Sequence, residues 1–321
     1  MIMKSSAKSH PIQGLIKYHG LRDSKLRIPF HDSISVATAP TETHTTIEFG
    51  DFKGDTALID GMQVSGVSLD RITAVVNEVR MRGGIKERFR MESLNNFPSN
   101  IGLGASASGF AALAMAACDA VGLDLSLEQI STIARRGAGS AARSVTGAFS
   151  LWKTGHDDED SYSHQIASEN LQMGMIVALV PALKLTDDAH RDVLESPFFH
   201  SRLAYVHGAI AEMKNAIKRK DIARIGELAE RDSLILHGIT MTGTEELILW
   251  RPETVKVILE VKKMRSEGIP AFFSIDTGAT VYINTEPSLV QTVEERIRAL
   301  GMETMICGVG GSARIVDESV F

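Results

Sequence analysis

Two patterns of apolar and polar residues follow one another in the first half of the chain. Residues 33–40 (SISVATAP) and 44–50 (HTTIEFG) alternate apolar with polar side chains and contain β-branched residues, which predicts two strands. Residues 68–84 (SLDRITAVVNEVRMRGG) carry apolar side chains at helical spacing and end in two glycines, which predicts a helix with a glycine stop. The first half therefore contains both strands and helices.

From about residue 126 onward, helical spacing dominates, with short apolar runs between the helices. Ser126 and Gln129 form a capping-box pattern ahead of a helix. Residues 171–181 (LQMGMIVALVP) are an apolar run typical of a buried strand, and two helical segments are predicted over 198–238. A third helix is predicted to end at Gly268, and the remaining strands and final helix are predicted in 271–276, 280–284, 288–301 and 302–311.

These elements favour the α+β class, with helices packed on one face of a mostly antiparallel sheet in each half. The change in pattern predicts two domains, residues 1–175 and 176–321. A binding site, if there is one, is expected in the cleft between them.

Composition narrows the classes of function. The chain has 321 residues, 44% of them apolar and 23% charged, as in soluble globular proteins. The net charge of −6 and the absence of an arginine-rich run with aromatic residues argue against a nucleic-acid partner. Two cysteines are too few for a disulfide framework, so a reducing cytoplasm is expected. With no signal peptide and no apolar run of membrane-spanning length, we expect neither secretion nor a membrane partner.

Residues 95–117 (NNFPSNIGLGASASGFAALAMAA) place glycines and serines directly before an alanine-rich run. This pattern predicts a loop that leads into a helix N-terminus, where backbone N–H groups and the helix dipole attract phosphate. Ser106 and Ser108 could add hydroxyl donors. The spacing is neither that of a P-loop nor that of a dinucleotide-binding fingerprint. A loop of small residues needed only for tight helix packing remains the alternative.

Four segments together resemble the mevalonate-diphosphate decarboxylase family of the GHMP kinases. The loop segment is similar to the family's nucleotide loop, and three further stretches match its motifs: 15–36 (LIKYHGLRDSKLRIPFHDSISV), 134–152 (ARRGAGSAARSVTGAFSLW) and 271–283 (AFFSIDTGATVYI). The resemblance implies the two-domain GHMP fold, with the nucleotide at the N-terminal domain's loop and the substrate between the domains. It also implies ATP with Mg²⁺, a small-molecule substrate and a homodimer.

The resemblance assigns chemistry to individual residues. Asp276 matches the family's base, which takes the proton of a tertiary hydroxyl during phosphoryl transfer; alone, it would be an ordinary turn aspartate. Arg143 matches the arginine that grips the substrate carboxylate, although alone it would be a solvated charge at a helix end. Lys17 is the third residue with a catalytic match. The implied substrate contacts are Tyr18, Gly139 and Ser140, and the implied nucleotide contacts are Asn96, Pro98, Gly102, Gly104, Ser106 and Ser108.

Departures from the family motifs point to the substrate. Leu21 stands where the family has a second lysine for the diphosphate, and His19 replaces a tryptophan. Asp187 and Asp188 stand where a diphosphate would need hydrogen-bond donors. We therefore predict 5-phosphomevalonate as the substrate and isopentenyl phosphate as the product, with the single phosphate held by His190 and Arg191.

Four other functions remain open at this point. An ordinary diphosphomevalonate decarboxylase would be distinguished by the substrate that turns over. A kinase that stops at the 3-phosphate would release no CO₂. A decarboxylase of 3,5-bisphosphorylated mevalonate would need no ATP, and a non-catalytic ligand sensor would bind without turnover.

Overall fold

The computed structural model describes residues 3–98, 102–181 and 190–321, and two largely antiparallel sheets organise them. The six-stranded sheet consists, in spatial order, of β16 (Arg314–Val316), β1 (Met3–Ser9), β6 (Thr43–Gly50), β9 (Arg88–Asn95), β7 (Thr56–Ile59) and β8 (Met62–Gln63). Its one parallel pair among the described strands is β7 with β9.

The eight-stranded sheet takes strands from both halves of the chain. In spatial order it contains β11 (Ser163–Ala167), β10 (Phe149–Trp152), β5 (Ser33–Ala39), β15 (Glu303–Val309), β12 (Gly174–Leu179), β14 (Val281–Thr285) and β13 (Ala271–Ser274), while β2 (Ile12–Ile16) also pairs with β5. A short ribbon joins β3 (Leu21–Asp23) to β4 (Ile28–Pro29). The division predicted after residue 175 falls inside β12.

The helices lie close to their predicted positions. They are α1 (Gly66–Gly83), α2 (Ala105–Ala120), α3 (Leu127–Arg135), α4 (Ala141–Thr146), α5 (Phe199–Arg219), α6 (Ile222–Met241), α7 (Pro252–Ser266) and α8 (Val290–Arg298). The capping box of Ser126 and Gln129 is confirmed at the start of α3. Gly268 follows α7 with a φ of +88°, and the next residue's N–H closes back onto Met264, which ends the helix.

Packing confirms the α+β class, but in the second half helices cover both faces of the sheet and not one face as predicted. α1 and α2 pack on the six-stranded sheet over one core. In the second half, helices cover both faces: Val177 of β12 faces α5 and α6, whereas its neighbour Ile176 faces α7 and α8. A strand buried on both faces is apolar at every position, which explains the uninterrupted run in β12. None of the helices in the described ranges is long and apolar enough to cross a membrane.

Candidate active site

A cavity that is partly open to solvent lies where the two halves meet. Segments that are far apart in sequence line it: β2 and the residues after it, the loop before α2, the start of α4, α6, and the turn after β13. The lining residues are Ile12, Gly14, Lys17, Tyr18, Gly102, Gly104, Ala107, Ser140, Arg143, His190, Leu236, Asp276 and Thr277. The three residues with predicted catalytic roles therefore meet in one cavity.

Asp276 occupies the turn that follows β13. The main-chain N–H of Gly14 donates to both carboxylate oxygens, at 3.2 and 3.3 Å. Gly14 must be a glycine, since a Cβ there would lie 2.9 Å from Oδ1 of Asp276 and 2.7 Å from the Lys17 side chain. The main-chain carbonyl of Asp276 accepts from Nε2 of His237 (3.0 Å) and from the N–H of Gly278 (2.8 Å). The carboxyl group is thus held at the cavity wall through both its side chain and its backbone.

Lys17 is buried beside that carboxylate. Its Nζ donates to Oγ of Ser233 (3.0 Å) and to Oγ of Ser274 (2.9 Å). Burial lowers the pKa of Lys17, and the charges of Asp276 and Asp232 partly oppose this effect. The lysine can therefore place a positive charge, or a proton, close to Asp276.

Arg143 projects from α4 and is 3% exposed. Its guanidinium carbon lies 5.5 Å from the ring centroid of Tyr18 and 5.9 Å from that of Trp152. Among the described residues, its Nε and Nη1 have no hydrogen-bond partner. Burial lowers the pKa of Arg143 to about 10, so it remains charged at neutral pH. A buried guanidinium with donors to spare suits a carboxylate or phosphate ligand.

Aromatic rings form the wall beside Arg143. The Tyr18 ring stacks on His190 with centroids 5.0 Å apart and meets Trp152 edge-on at 5.0 Å. A Cβ on Gly139 would lie 2.8 Å from the Tyr18 hydroxyl, so only glycine allows this approach. Nδ1 of His190 lies 3.1 Å from Nδ1 of His19.

His190 and Arg191, the two residues predicted to bind the single phosphate, lie in different environments. His190 is buried and lines the cavity, whereas Arg191 is exposed and is not among the lining residues. Asp187 and Asp188 lie outside the described residues. His190 is thus the member of the pair that the fold brings to the other site residues.

The glycine-rich segment leads into α2 as predicted. Gly104 precedes the helix with a φ of +79°, and a second, partly open cavity lies on the other side of the helix N-terminus. Gly102 and Gly104 line the first cavity, and Ser106 lines the second. The loop therefore separates two adjoining spaces.

The other predicted nucleotide contacts lie elsewhere. Ser108 is fully buried, and its hydroxyl lies 2.6 Å from that of Thr43, which ties α2 to β6. Asn96 is exposed, and its side chain forms hydrogen bonds with the main chain of Pro40 and Glu42. Pro98 is also exposed. None of these three residues is among those that line either cavity.

Four buried polar residues behind the site were missed by the sequence interpretation. Asp232, Ser233 and His237 lie on α6, and Ser274 ends β13. The sequence predicts amphipathic helix over 198–238, in which polar residues are expected to face solvent. A cluster of small and ionisable residues at 232, 233 and 237 was the available signal.

No group of three or more His, Cys, Asp and Glu side chains that could hold a metal ion occurs in the described part of the chain. A magnesium ion bound mainly through nucleotide phosphates needs few protein ligands, so this finding is compatible with Mg²⁺ carried by ATP.

Residues 9–163 match the diphosphomevalonate decarboxylase-like N-terminal domain family. A phosphomevalonate decarboxylase of Haloferax volcanii is 49% identical over 320 residues, which cover 99% of each chain. The crystal structure of mevalonate diphosphate decarboxylase from Staphylococcus aureus is 31% identical, with a TM-score of 0.94 over 99% of both chains. A structure described as MDDEF in complex with MVAPP, AMPPCP and magnesium is 28% identical, with a TM-score of 0.93 over 99% of this chain and 100% of that one.

Proposed function

The chain belongs to the diphosphomevalonate decarboxylase family, and we propose that its first cavity is the site of ATP-dependent decarboxylation of (R)-5-phosphomevalonate. The products are isopentenyl phosphate, ADP, phosphate and CO₂, which makes the protein an enzyme of isoprenoid synthesis. The relative at 49% identity over the whole chain bears this activity in its name, whereas the S. aureus diphosphate enzyme is 31% identical. The observation that carries the site assignment is the buried guanidinium of Arg143, unpartnered at Nε and Nη1 among the described residues, in one cavity with Asp276.

The first step is phosphoryl transfer to the tertiary 3-hydroxyl. The hydroxyl oxygen forms a bond to the γ-phosphorus of ATP, the bond to the ADP oxygen breaks, and the hydroxyl proton passes to the Asp276 carboxylate. The Gly14 N–H contacts keep that carboxylate aimed into the cavity. Lys17 provides positive charge where the transferred group becomes more negative.

The second step breaks two bonds in the phosphorylated intermediate. The electrons of the C1–C2 bond form the new double bond between C2 and C3 as CO₂ leaves, and the C3–O bond breaks with its electrons on the departing phosphate. Arg143 holds the C1 carboxylate by two N–H donors in one plane. Its grip sets the direction of the C1–C2 bond before that bond breaks.

The two cavities divide the substrates between them. The second cavity has apolar walls that include Ile59, Val64 and Phe110, with the polar groups of Asn95 and Ser106 among them, and we assign the adenosine of ATP to it. The triphosphate would then pass the N-terminus of α2 and bring its γ-phosphate into the first cavity. Magnesium bound to the phosphates supplies charge neutralisation during the transfer.

We assign the C5 phosphate of the substrate to the side of the cavity formed by two polar rings. His190 and the stacked Tyr18 form the cavity wall on the side of Arg143 and Ser140. From the sequence, Leu21 and the pair of Asp187 and Asp188 are predicted to disfavour a second phosphate. The role of Arg191 stays a prediction from sequence.

Three wider expectations belong to the proposal. The N-terminal domain would hold the nucleotide, the chain would form a homodimer, and the enzyme would act in the cytoplasm. Light scattering of the purified protein measures its molecular mass, and the mass of a monomer would contradict the homodimer.

Turnover of two substrates tests the proposed function. Purified protein is incubated with ATP, Mg²⁺ and either 5-phosphomevalonate or 5-diphosphomevalonate, and the release of CO₂ and ADP is measured. We expect a clear preference for the monophosphate. Preference for the diphosphate would overturn the substrate assignment, ADP without CO₂ would indicate a kinase, and CO₂ without ATP would indicate a decarboxylase of a prephosphorylated substrate.

A further inference from the structure

One face of α6 contacts the segments that carry Lys17, His19 and Asp276 at the first cavity. Asp232, Ser233, Leu236, His237 and Thr240 recur at the spacing of a single helix face, and all are buried. Leu236 lines the cavity, and Thr240 lies 3.2 Å from Nε2 of His19. The remaining three residues contact Lys17 and Asp276, which come from segments 259 positions apart in the sequence.

The main chain of Lys17 is fixed from α5 and α6. Its N–H donates to Oδ2 of Asp232 (2.9 Å), and its carbonyl accepts from Nη2 of Arg202 (2.6 Å). Arg202 and Asp232 also form a fully buried ion pair at 3.1 Å. The backbone at Lys17 is therefore held whether or not its side chain has partners.

Ser233 fixes the other end of the lysine. Its hydroxyl donates its one proton to the carbonyl of Ala229 (2.8 Å), so its lone pairs must accept: they receive Nζ of Lys17 at 3.0 Å and the N–H of Ile275 at 3.0 Å. Ile275 immediately precedes Asp276. A single hydroxyl thus links the tip of the lysine to the strand end that carries the carboxylate.

His237 completes the link one helical turn later. A carbonyl only accepts hydrogen bonds, so Nε2 of His237 carries the proton that it donates to Asp276. Burial, with the charge of Lys17 adding to it, lowers the pKa of His237 to about 3. The ring is accordingly neutral at neutral pH, with its proton on Nε2.

From these contacts we infer that Ser233 and His237 are positioning residues, which set the ammonium of Lys17 and the carboxylate of Asp276 at one fixed separation. The inference rests on the proposed function, because it assigns both groups to the phosphoryl-transfer step. Neither residue lines the cavity, so neither is expected to bind substrate. Loss of either should lower kcat and leave KM nearly unchanged.

Ser233→Ala tests the serine, with Ser131→Ala as a matched control. Ser131 is also a buried helical serine that donates to a carbonyl in its own helix (Glu128, 2.6 Å) and accepts a main-chain N–H from elsewhere (Ser163, 2.9 Å). We expect both variants to lose similar stability, and only Ser233→Ala to lose kcat, by about tenfold or more with KM within about threefold. Equal kcat values in the two variants would overturn the role of Ser233.

A pH profile separates positioning from a general loss of packing. The charged groups that act on Lys17 are Asp276, Asp232, Arg202 and Arg143. Removal of the Ser233 acceptor disfavours the ammonium form, so the alkaline fall of kcat should move to lower pH in Ser233→Ala and stay in place in Ser131→Ala. An unmoved alkaline limb in Ser233→Ala would contradict the inference.

His237→Gln and His237→Leu test the histidine. The glutamine amide can place an N–H near the position of Nε2, whereas leucine fills similar volume without a donor. We expect kcat of the glutamine variant to exceed that of the leucine variant by about tenfold, with similar KM values for both substrates. Equal kcat values would overturn the role of His237. Absence of turnover in the parent enzyme would instead contradict the proposed function.

Discussion

The guanidinium carbon of Arg143 lies 5.5 Å from the centroid of the Tyr18 ring. This cation–π contact stabilises the buried guanidinium without using its N–H groups as donors. Its donors can then be directed at a ligand in the cavity. A lysine has neither the plane nor the fork of donors that this arrangement requires.

Arg143→Lys should therefore lower kcat/KM for the mevalonate substrate, although the positive charge is kept. Loss of one charged hydrogen bond costs about 1.5–3 kcal/mol, or roughly 10- to 150-fold in kcat/KM for the mevalonate substrate. The KM for ATP should change little, since the residue does not line the second cavity. Steady-state kinetics with each substrate varied in turn measures both values. An unchanged kcat/KM for the mevalonate substrate would show that Arg143 does not bind the substrate carboxylate.

Asp276→Asn should abolish most turnover while ATP still binds. The amide oxygen can still accept from the Gly14 N–H, but the side chain cannot take a proton, so we expect kcat to fall about 10²- to 10⁴-fold. Calorimetric titration should show ATP affinity within a few-fold of the parent. Substantial CO₂ release by this variant would exclude Asp276 as the base.

Gly109 tests the nucleotide assignment with two substitutions. It lies inside α2 and lines the second cavity, and a Cβ there would meet no atom within 4 Å. Gly109→Ala should raise the free energy of unfolding by about 0.5–1 kcal/mol, because alanine favours the helix. Gly109→Leu should keep the fold and fill part of the cavity. We expect its KM for ATP to rise by about tenfold. An unchanged KM would show that adenosine does not bind in the second cavity.

His31 should make stability depend on pH. Burial lowers its pKa to about 4 in the folded protein, against 6.5 for the model compound. Between these values the unfolded chain binds a proton that the folded chain does not, so stability falls as the pH decreases from about 6.5 to 4. We expect the parent to lose up to about 1.4 kcal/mol per pH unit relative to His31→Asn. Urea unfolding of both proteins at several pH values measures the difference, and parallel curves would contradict the prediction.

Leu21→Lys tests the discrimination against a second phosphate. Leu21 follows Gly20, whose N–H donates to Nδ1 of His190 at 3.3 Å, so a lysine here would add a cation near the proposed phosphate site. We expect kcat/KM for 5-diphosphomevalonate to rise about tenfold relative to the monophosphate. Leu21→Met is the control of similar length without charge. The same ratio in both variants would show that residue 21 does not select the substrate.

Several residues that line the first cavity, Asp276 and Arg143 among them, could be anticipated because they lie in short segments that resemble the motifs of a known family. Asp276 follows an apolar strand segment and Arg143 follows the GAGSAA turn, so each is visible in a few consecutive letters of sequence. Asp232 and His237 have no such motif. Whether a polar residue on an amphipathic helix faces water or a buried partner depends on what packs against it, and hydrophobic spacing alone does not contain that information.

The first strand was missed for a related reason. β1 contains Ser5, Ser6 and Ser9, which are buried, and its sequence MKSSAKS has little apolar content. It is a strand because β6 and β16 pair with it on both sides. Ser108 shows the converse: its position before an alanine-rich run suggested a phosphate donor, and its hydroxyl instead lies beside that of Thr43.

The pairing of β16 with β1 also bears on how the chain folds as it is made. Ser6 pairs with Val316, so the six-stranded sheet lacks this edge strand until a segment 310 positions further along the chain has been synthesised. The N-terminal half emerges from the ribosome first, and one side of β1 stays unpaired until the distant residues of β16 follow. Non-local strand pairing of this kind is slow and leaves strand edges exposed. We therefore expect full protection of β1 amides from hydrogen exchange to arise only after β16 has been synthesised and paired, and chaperone contact with the nascent N-terminal half to last until then.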